Sequence, residues 1–234
     1  MAVARGEIPV DTAPYQLSGT VYGTLLNHLS ALAAMQDKMG LPPYNAPPRA
    51  PVLYVKPRNT LAMCGDAVAV PAAFAGEENA ELEVAACLGI VIGRTACNVS
   101  ESRALDHVAG FLIVNDVSVP HPNYYRPSIR YKARDGFCPL GPRVTARSEI
   151  ANPDALIFRT YVDGILKQTM STADLVRPVA RLLADVTEFM TLAPGDVLAA
   201  GAAAPAPRVR AGQTVVIEAD ALGTLSNPFV AAGA

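Results

Sequence analysis

Short runs of apolar residues dominate the chain from residue 52 onward, and their length and composition are typical of β-strands. Asp163 and Gly164 lie between two such runs, and this pair accepts the positive φ values of a tight hairpin turn. The runs are VLYVKP, AVAV, LEVAACLGIVIG, GFLIVNDVSV, LIFRTYVDGILKQ and TVVIEA. Because helices do not alternate regularly with these strands, the pattern predicts an α+β fold that is rich in strands and has few helices.

Two segments carry apolar residues at helical spacing. Residues 20–39 are predicted to form one helix, and residues 171–190 a second, with Pro178 tolerated only near its start. Between the first helix and the strands, residues 40–51 are rich in proline and are predicted to be an extended connection. We therefore predict an N-terminal arm, helix and connection over residues 1–50, followed by one catalytic domain over residues 51–234.

Composition and charge exclude several classes of function. The 234 residues are 51% hydrophobic, and the formal net charge is -2, so no basic surface points to nucleic acid or to an anionic membrane. The N-terminus has no apolar core of signal-peptide length, and no run approaches the roughly 20 apolar residues of a membrane span. We expect a cytoplasmic protein with reduced cysteines that binds neither nucleic acid nor a membrane.

Three acidic residues suggest a metal site. Glu81 and Glu83 stand two residues apart on a predicted strand, so both carboxylates project from the same face. Asp116 ends another apolar run, where a buried and unpaired acid would be costly. A hard divalent cation would satisfy all three carboxylates. From spacing alone, a solvated edge with a turn cap is an equally good interpretation.

Five motifs in order resemble the fumarylacetoacetate hydrolase superfamily, and the likeness covers roughly residues 50–230. The resemblance implies a mixed, strongly bent β-roll that binds Mg2+, with Mn2+ or Ca2+ as alternatives. It also implies that Glu81, Glu83 and Asp116 are the metal ligands and that Lys132 is catalytic. The motifs are ELEVAACLGIVIGRTACNVS, ALDHVAGFLIVNDVS, YKARDGFCPLGP, LAPGDVLAAG and ALGTLSNP.

Two departures from the family pattern bear on the reaction. Hydrolases of the family carry a water-activating histidine and glutamate on an early helix, but the matching positions here are Ala31 and Ala34. Without that general base, a reaction that needs no attacking water is favoured. The arginine that follows the third metal ligand in the family is also missing, and Arg126 or Arg130 is predicted to bind a substrate carboxylate instead.

The stretch NYYRPSIRYKARDGFCPLGP is similar to a subgroup of isomerases and decarboxylases in 4-hydroxyphenylacetate degradation. The resemblance therefore implies a metal-dependent decarboxylase or isomerase acting on 2-oxo or 2-hydroxydienoate polycarboxylates. Its substrates would be 5-oxopent-3-ene-1,2,5-tricarboxylate or 2-hydroxyhepta-2,4-diene-1,7-dioate. A hydrolase of the fumarylacetoacetate or acylpyruvate type and a non-catalytic partner subunit stay open as alternatives.

Four further residues are predicted to contact the substrate, namely Lys56, His121, Tyr124 and Gln168. A late loop that carries two threonines in the family reads AGAA at residues 200–203 here, so its substrate contacts are expected to involve backbone groups. The partner is expected to be a small-molecule polycarboxylate. The family resemblance also implies a homodimer or a heteromer with a paralogous subunit.

Overall fold

The computed structural model describes residues 7–9, 19–71, 80–121 and 128–232. The described helices are α1 (Leu29–Met39), α2 (Ile129–Lys132) and α3 (Val179–Thr187). The described strands are β1 (Glu7–Pro9), β2 (Val21–Leu25), β3 (Val52–Lys56), β4 (Leu61–Ala62), β5 (Val68–Val70), β6 (Leu82–Glu83), β7 (Ala86–Ile92), β8 (Val108–Asn115), β9 (Cys138–Ala146), β10 (Ile157–Val162), β11 (Ile165–Ser171), β12 (Val197–Ala199), β13 (Arg208–Val209), β14 (Thr214–Ala219) and β15 (Gly223–Ala231).

Within these ranges the strands form a large curled sheet and a smaller one. Eight strands build the large mixed sheet in the order β1-β9-β8-β7-β12-β2-β3, with β4 paired beside β9. Five strands build the smaller sheet in the order β11-β10-β14-β15-β5, and β13 pairs with β6. The predicted α+β fold, rich in strands and poor in helices, is confirmed.

The central strand β7 separates two apolar clusters, because successive side chains of a strand point to opposite faces. Leu88 and Ile90 lie in the main core, which also contains the buried face of α3. Cys87 and Val91 lie in a smaller second cluster with residues of β8, β9 and β12. The second cluster is on the same face of the sheet as the candidate site, so the site lies beside an apolar wall.

The first predicted helix is wrong in its N-terminal half, where residues 21–25 form β2 instead. Helix α1 begins only at Leu29, because the Nδ1 atom of His28 accepts a hydrogen bond from the Ser30 N–H at 3.2 Å and so caps it. Leu26 has a φ of 59°, which ends the strand before the helix starts. The sequence pattern merged a strand and a helix that follow one another without a glycine or proline between them.

The second predicted helix is shorter than expected. The segment after Ser171 forms a single 3-10 turn, and α3 starts only after Pro178, which precedes the first helical residue. Proline lacks the N–H that a helix interior needs, and this explains the late start. In contrast, the predicted hairpin is confirmed: Asp163 and Gly164 join β10 to β11 with positive φ at both residues.

The predicted boundary at residues 50 and 51 lies between two paired strands. Strands β2 and β3 lie on either side of it and pair antiparallel over five residues, from Val21 opposite Lys56 to Leu25 opposite Val52. The segment before residue 51 therefore supplies two strands of the main sheet, β1 and β2, and, through α1, one wall of the cavity described below. None of the described helices is long and apolar enough to cross a membrane.

Candidate active site

A cavity of about 320 Å³ opens on the second-cluster face of the large sheet. This volume is at the lower end of the range for small-molecule sites, which is roughly 300–1,000 Å³. Tyr54, Asp116 and Lys132 form part of its lining, α1 forms one wall, and the loop over residues 202–206 forms another. The cavity therefore combines a small polar cluster with walls made largely of alanine.

Asp116 is the centre of the polar cluster. Its Oδ1 atom lies 2.7 Å from Lys56 Nζ, and its Oδ2 atom lies 2.6 Å from Lys132 Nζ. The Tyr54 hydroxyl also donates a short hydrogen bond to Oδ2. All three acidic and basic side chains are buried, with Asp116 5% exposed. A single buried carboxylate is thus bound by two ammonium groups.

Lys56 holds this cluster from behind the cavity. Its ammonium donates to the carbonyl oxygens of Val117 at 2.8 Å, Lys132 at 3.0 Å and Phe137 at 2.7 Å. An ammonium group has three hydrogens, and the three carbonyls accept all of them, so Lys56 holds Asp116 by charge alone. Lys56 does not line the cavity and has no hydrogen to offer a substrate, so its predicted role as a substrate contact is not supported by its position.

Lys132 faces the cavity from the last residue of α2. Its Nζ atom lies 4.7 Å from the centroid of the Tyr54 ring, within the range of a cation–π contact. Among the described residues, Asp116 is the only hydrogen-bond acceptor for that ammonium. Lys132 is therefore the cation of the cluster that a bound anion can reach.

Burial and charge set the protonation states of the cluster. Burial alone would raise the pKa of Asp116, but the Lys132 and Lys56 ammonium groups outweigh it and hold that pKa well below its usual range. Burial, followed by the charge of Asp116, raises the pKa of Tyr54 well above 10. Tyr54 thus stays a phenol that donates to a carboxylate, and Asp116 stays ionised.

A glycine makes room for Tyr54. Gly23 on β2 lies directly opposite Tyr54 on β3, and a methyl group at Gly23 would overlap the tyrosine ring. The ring can therefore cross the neighbouring strand and reach Asp116. Tyr54 was missed from the sequence, although it stands two residues before Lys56 on one strand face, which was the signal that could have identified it.

Asn27 and Ser30 tie the two cavity walls together. The Asn27 amide donates to the carbonyl of Ala200 at 2.7 Å and accepts from the N–H of Arg177 at 2.9 Å. The Ser30 hydroxyl accepts a hydrogen bond from the N–H of Ala204 at 2.9 Å. The loop after β12 is therefore fixed to the start of α1 rather than to the sheet alone.

The other predicted substrate contacts have different positions. His121 lines the cavity and stacks on Tyr131 with ring centroids 4.5 Å apart. Gln168 donates to the carbonyl of Pro205 at 2.7 Å and so supports the wall from outside. Arg130 is exposed on α2 and is not among the lining residues, while Tyr124 and Arg126 lie outside the described residues.

Helix α1 presents to the cavity the two positions where a hydrolase of the family would carry its water-activating pair. Ala31 and Ala34 both line the cavity, as does Lys38 one turn further along the same helical face. Lys38 is exposed and was not singled out from the sequence. The helix therefore contributes a cation to the cavity but neither an imidazole nor a carboxylate.

The predicted metal ligands are not brought together. Glu83 lines the cavity with Asp116, and one of its oxygens lies 3.6 Å from the guanidinium of Arg208. Glu81 is not among the lining residues and pairs with Arg210 at 2.7 Å. Among the described residues, no three histidine, cysteine, aspartate or glutamate side chains are grouped to hold a metal.

The pairing register explains why the strand beside Asp116 places no carboxylate directly opposite it. Ala86 pairs with Asn115, and the Asp116 N–H donates to the Ala85 carbonyl at 2.9 Å, so Ala85 lies opposite Asp116. The next residue on that strand face is Cys87. Its burial, followed by the charge of Asp116, raises the pKa of its thiol far above the usual range, and a protonated thiol is a poor ligand.

The charge of the cluster also opposes a metal. A divalent cation about 5 Å from an ammonium group would be repelled by about 7 kcal/mol at an effective dielectric constant of about 20. Two such groups already flank the carboxylate of Asp116. The residues present therefore do not fit the metal site that the resemblance implied.

Comparison with known proteins identifies the family of this chain. Residues 20–230 match the model of the fumarylacetoacetate hydrolase C-terminal domain. The chain is 36% identical over 214 residues to the 4-hydroxyphenylacetate degradation bifunctional isomerase/decarboxylase of Escherichia coli. That match covers 92% of this chain but 48% of the relative, so the chain spans about half the length of this relative and of two similar isomerase/decarboxylases that it matches.

Two solved structures have the same fold. The 5-carboxymethyl-2-hydroxymuconate delta-isomerase of Mycobacterium smegmatis superposes with a TM-score of 0.78 at 29% identity, covering 98% of this chain and 83% of that one. The maleylpyruvate hydrolase of Sphingobium sp. SYK-6, solved with manganese(II) and pyruvate, gives 0.74 at 26% identity, covering 91% and 70%. The family match over nearly the whole chain shows that this protein belongs to the fumarylacetoacetate hydrolase family.

Proposed function

We propose that the chain is a decarboxylase or isomerase for 2-oxo or 2-hydroxydienoate polycarboxylates of aromatic catabolism. Its substrates would be 5-oxopent-3-ene-1,2,5-tricarboxylate or 2-hydroxyhepta-2,4-diene-1,7-dioate. The observation that carries the proposal is a cavity with a buried cation, Lys132, at the cluster and only Ala31 and Ala34 where a water-activating pair would stand. The similarity to an isomerase/decarboxylase supports the same reaction class.

In decarboxylation, the 2-oxo acid end of the substrate lies against Lys132. The carboxylate on the carbon that is vinylogous to the ketone leaves as carbon dioxide, and its bonding electrons shift through the double bond onto the ketone oxygen. The product is a dienolate, and the Lys132 ammonium stabilises the charge on its oxygen. This interaction is strong because the ammonium is buried and little screened by water.

Isomerisation starts from the same dienolate and differs only in where a proton returns. His121 is the side chain that we assign to this transfer. Its Nδ1 atom lies 2.9 Å from the carbonyl oxygen of Val119, so that nitrogen carries the hydrogen in the neutral ring and Nε2 is the basic one. His121 lines the cavity and is held by its stacking on Tyr131.

Lys38 supports a substrate with more than one carboxylate. It lies on the same wall as Ala31 and Ala34 but at an exposed position, whereas Lys132 is buried. A polycarboxylate can therefore place its 2-oxo acid end at Lys132 and a distal carboxylate at Lys38. A short monocarboxylate would use only the buried cation.

The Mg2+, Mn2+ or Ca2+ dependence predicted from the resemblance is not part of this proposal. The carboxylate of Asp116 is already shared by two ammonium groups, and Glu81 is outside the cavity. The steps above therefore use only side chains of the chain itself.

A product assay tests the proposed function. Purified protein is incubated with the tricarboxylate, and released carbon dioxide is measured together with the absorbance of the conjugated dienol. We expect carbon dioxide or a shifted double bond without two acid fragments, and we expect Lys132→Met to abolish the reaction. Lys167→Met, which removes an exposed lysine of β11, is the matched control.

The alternatives give different results in that assay. A hydrolase would yield two acid fragments from fumarylacetoacetate or an acylpyruvate. A non-catalytic partner subunit would yield no product from any of these compounds. Either result would overturn the proposal.

We also propose that the chain works as a homodimer or with a paralogous subunit, since the bifunctional isomerase/decarboxylases that it matches are about twice as long. Light scattering after gel filtration, with the protein alone and mixed with a second half-length subunit, tests this. A monomer in both samples would contradict it.

A further inference from the structure

We infer that this site is independent of metal and that the Lys132 ammonium, held by Asp116, binds the two adjacent oxygens of a 2-oxo acid. The inference deepens the proposed function and relies on it only for the identity of the natural substrate. It contrasts with the Sphingobium maleylpyruvate hydrolase, whose structure contains manganese(II) together with pyruvate.

The charge of the buried cluster favours an anion as its ligand. One carboxylate and two ammonium groups leave an excess of one positive charge. Lys56 is 2% exposed, and its ammonium is engaged by three backbone carbonyls as well as by Asp116. The excess charge is therefore available to a ligand only at Lys132.

The hydrogen-bond donors of Lys132 match the two adjacent oxygens of a 2-oxo acid. One ammonium hydrogen goes to Asp116 at 2.6 Å, and the Tyr54 ring covers one side at 4.7 Å. Since an ammonium group has three hydrogens, two are left for a ligand in the cavity. A carboxylate oxygen and the neighbouring ketone oxygen of a 2-oxo acid match two donors on one nitrogen.

The part of the chain that the structure describes offers too few ligands for a hard cation beside Asp116. The residue opposite Asp116 is Ala85, and the next one on that strand face is Cys87. Glu83 shares the cavity but Glu81 does not, and the described residues contain no group of three potential ligands. A cation at Asp116 would have to displace Lys132, which already neutralises it.

Oxalate is a suitable probe because its adjacent carboxylates resemble the enolate of a 2-oxo acid. The full chain is treated with EDTA, dialysed and titrated with oxalate in a calorimeter, with and without Mn2+. In parallel, Mn2+ binding is measured by electron paramagnetic resonance, with the Sphingobium hydrolase as the positive control. Neither measurement depends on turnover.

We expect the metal-free protein to bind oxalate, and added Mn2+ to leave the affinity unchanged. Lys132→Met should weaken binding about 10- to 100-fold, as expected for a lost hydrogen bond between charged groups. Lys132→Arg, which keeps the charge, should retain part of the affinity. Lys167→Met and Glu81→Gln should bind oxalate like the wild type. Melting temperatures identify any variant that does not fold, and Lys132→Gln replaces Lys132→Met in that case.

Three results would overturn the inference. They are stoichiometric Mn2+ binding that Asp116→Asn abolishes, oxalate binding that requires Mn2+, and no oxalate binding under either condition. Oxalate binding that depends on Lys132, without turnover of any polycarboxylate, would instead uphold the metal-independent site and reject the proposed function.

Discussion

Replacing Lys56 with methionine is expected to destabilise the protein by about 3–5 kcal/mol, the usual cost of removing one partner of a buried ion pair. The change deprives three buried carbonyl oxygens of their donor and Asp116 of one of its two ion-pair partners. Each unsatisfied buried group costs about 1–3 kcal/mol. Part of this loss of stability is offset, because methionine avoids the free energy needed to bury a charged ammonium group. The lowering of the Lys56 pKa by burial indicates that this desolvation is unfavourable.

Urea unfolding followed by far-UV circular dichroism measures this loss, since the chain has no tryptophan to report by fluorescence. Lys167→Met is the control, and its exposed position predicts a change within about 0.5 kcal/mol. If Lys56→Met lowered the free energy of unfolding by less than about 1 kcal/mol, the hydrogen bonds and ion pair of Lys56 would not stabilise the fold as expected. A stable Lys56→Met protein with a raised KM would restore Lys56 as a substrate contact.

Three further changes test other parts of the site and fold. Gly23→Ala should cost about 1–3 kcal/mol and reduce turnover, because the added methyl displaces the Tyr54 ring; equal stability and activity in a denaturation and rate assay would contradict this. Lys38→Met should raise the KM for a tricarboxylate but leave the Kd for oxalate unchanged. An equal rise in both constants would show that Lys38 does not bind the distal carboxylate alone. Asp154 accepts a hydrogen bond from the Val179 N–H at the start of α3, and burial raises the pKa of its carboxyl group. Because the folded state then binds a proton more tightly than the unfolded state, the wild type should gain stability relative to Asp154→Asn as the pH falls through the carboxyl range. If unfolding measurements showed the wild type losing stability relative to Asp154→Asn between pH 7 and pH 4, the predicted direction would be wrong.

The sequence pattern was sufficient where a signal is local. The hairpin at Asp163 and Gly164 follows from two residues, and the strand-rich fold follows from short apolar runs. The inward position of Asp116 followed from its place at the end of an apolar run. Ala31 and Ala34 were assigned from a motif, and both do line the cavity.

The sequence pattern failed where the answer depends on pairing between strands. Glu81 and Glu83 do lie two apart near the start of a strand, but the pairing register, which sets Glu83 opposite Ser118, decides which residue lies opposite Asp116. That residue is Ala85, and nothing within a single strand indicates it. Likewise, the sequence identifies Lys56 as a cation, but only the folded structure shows that three carbonyl oxygens from other segments surround it.

The loop over residues 202–206 has a backbone that is fixed from several sides and side chains that are almost all methyl groups. Ser30 binds the N–H of Ala204, Gln168 binds the carbonyl of Pro205, and Asn27 binds the carbonyl just before the loop. Larger or polar residues introduced at Ala202 or Ala203 would thus change the shape and polarity of the cavity while the backbone keeps its course. Substitutions in this loop are therefore the direct way to change which ligands fit the cavity.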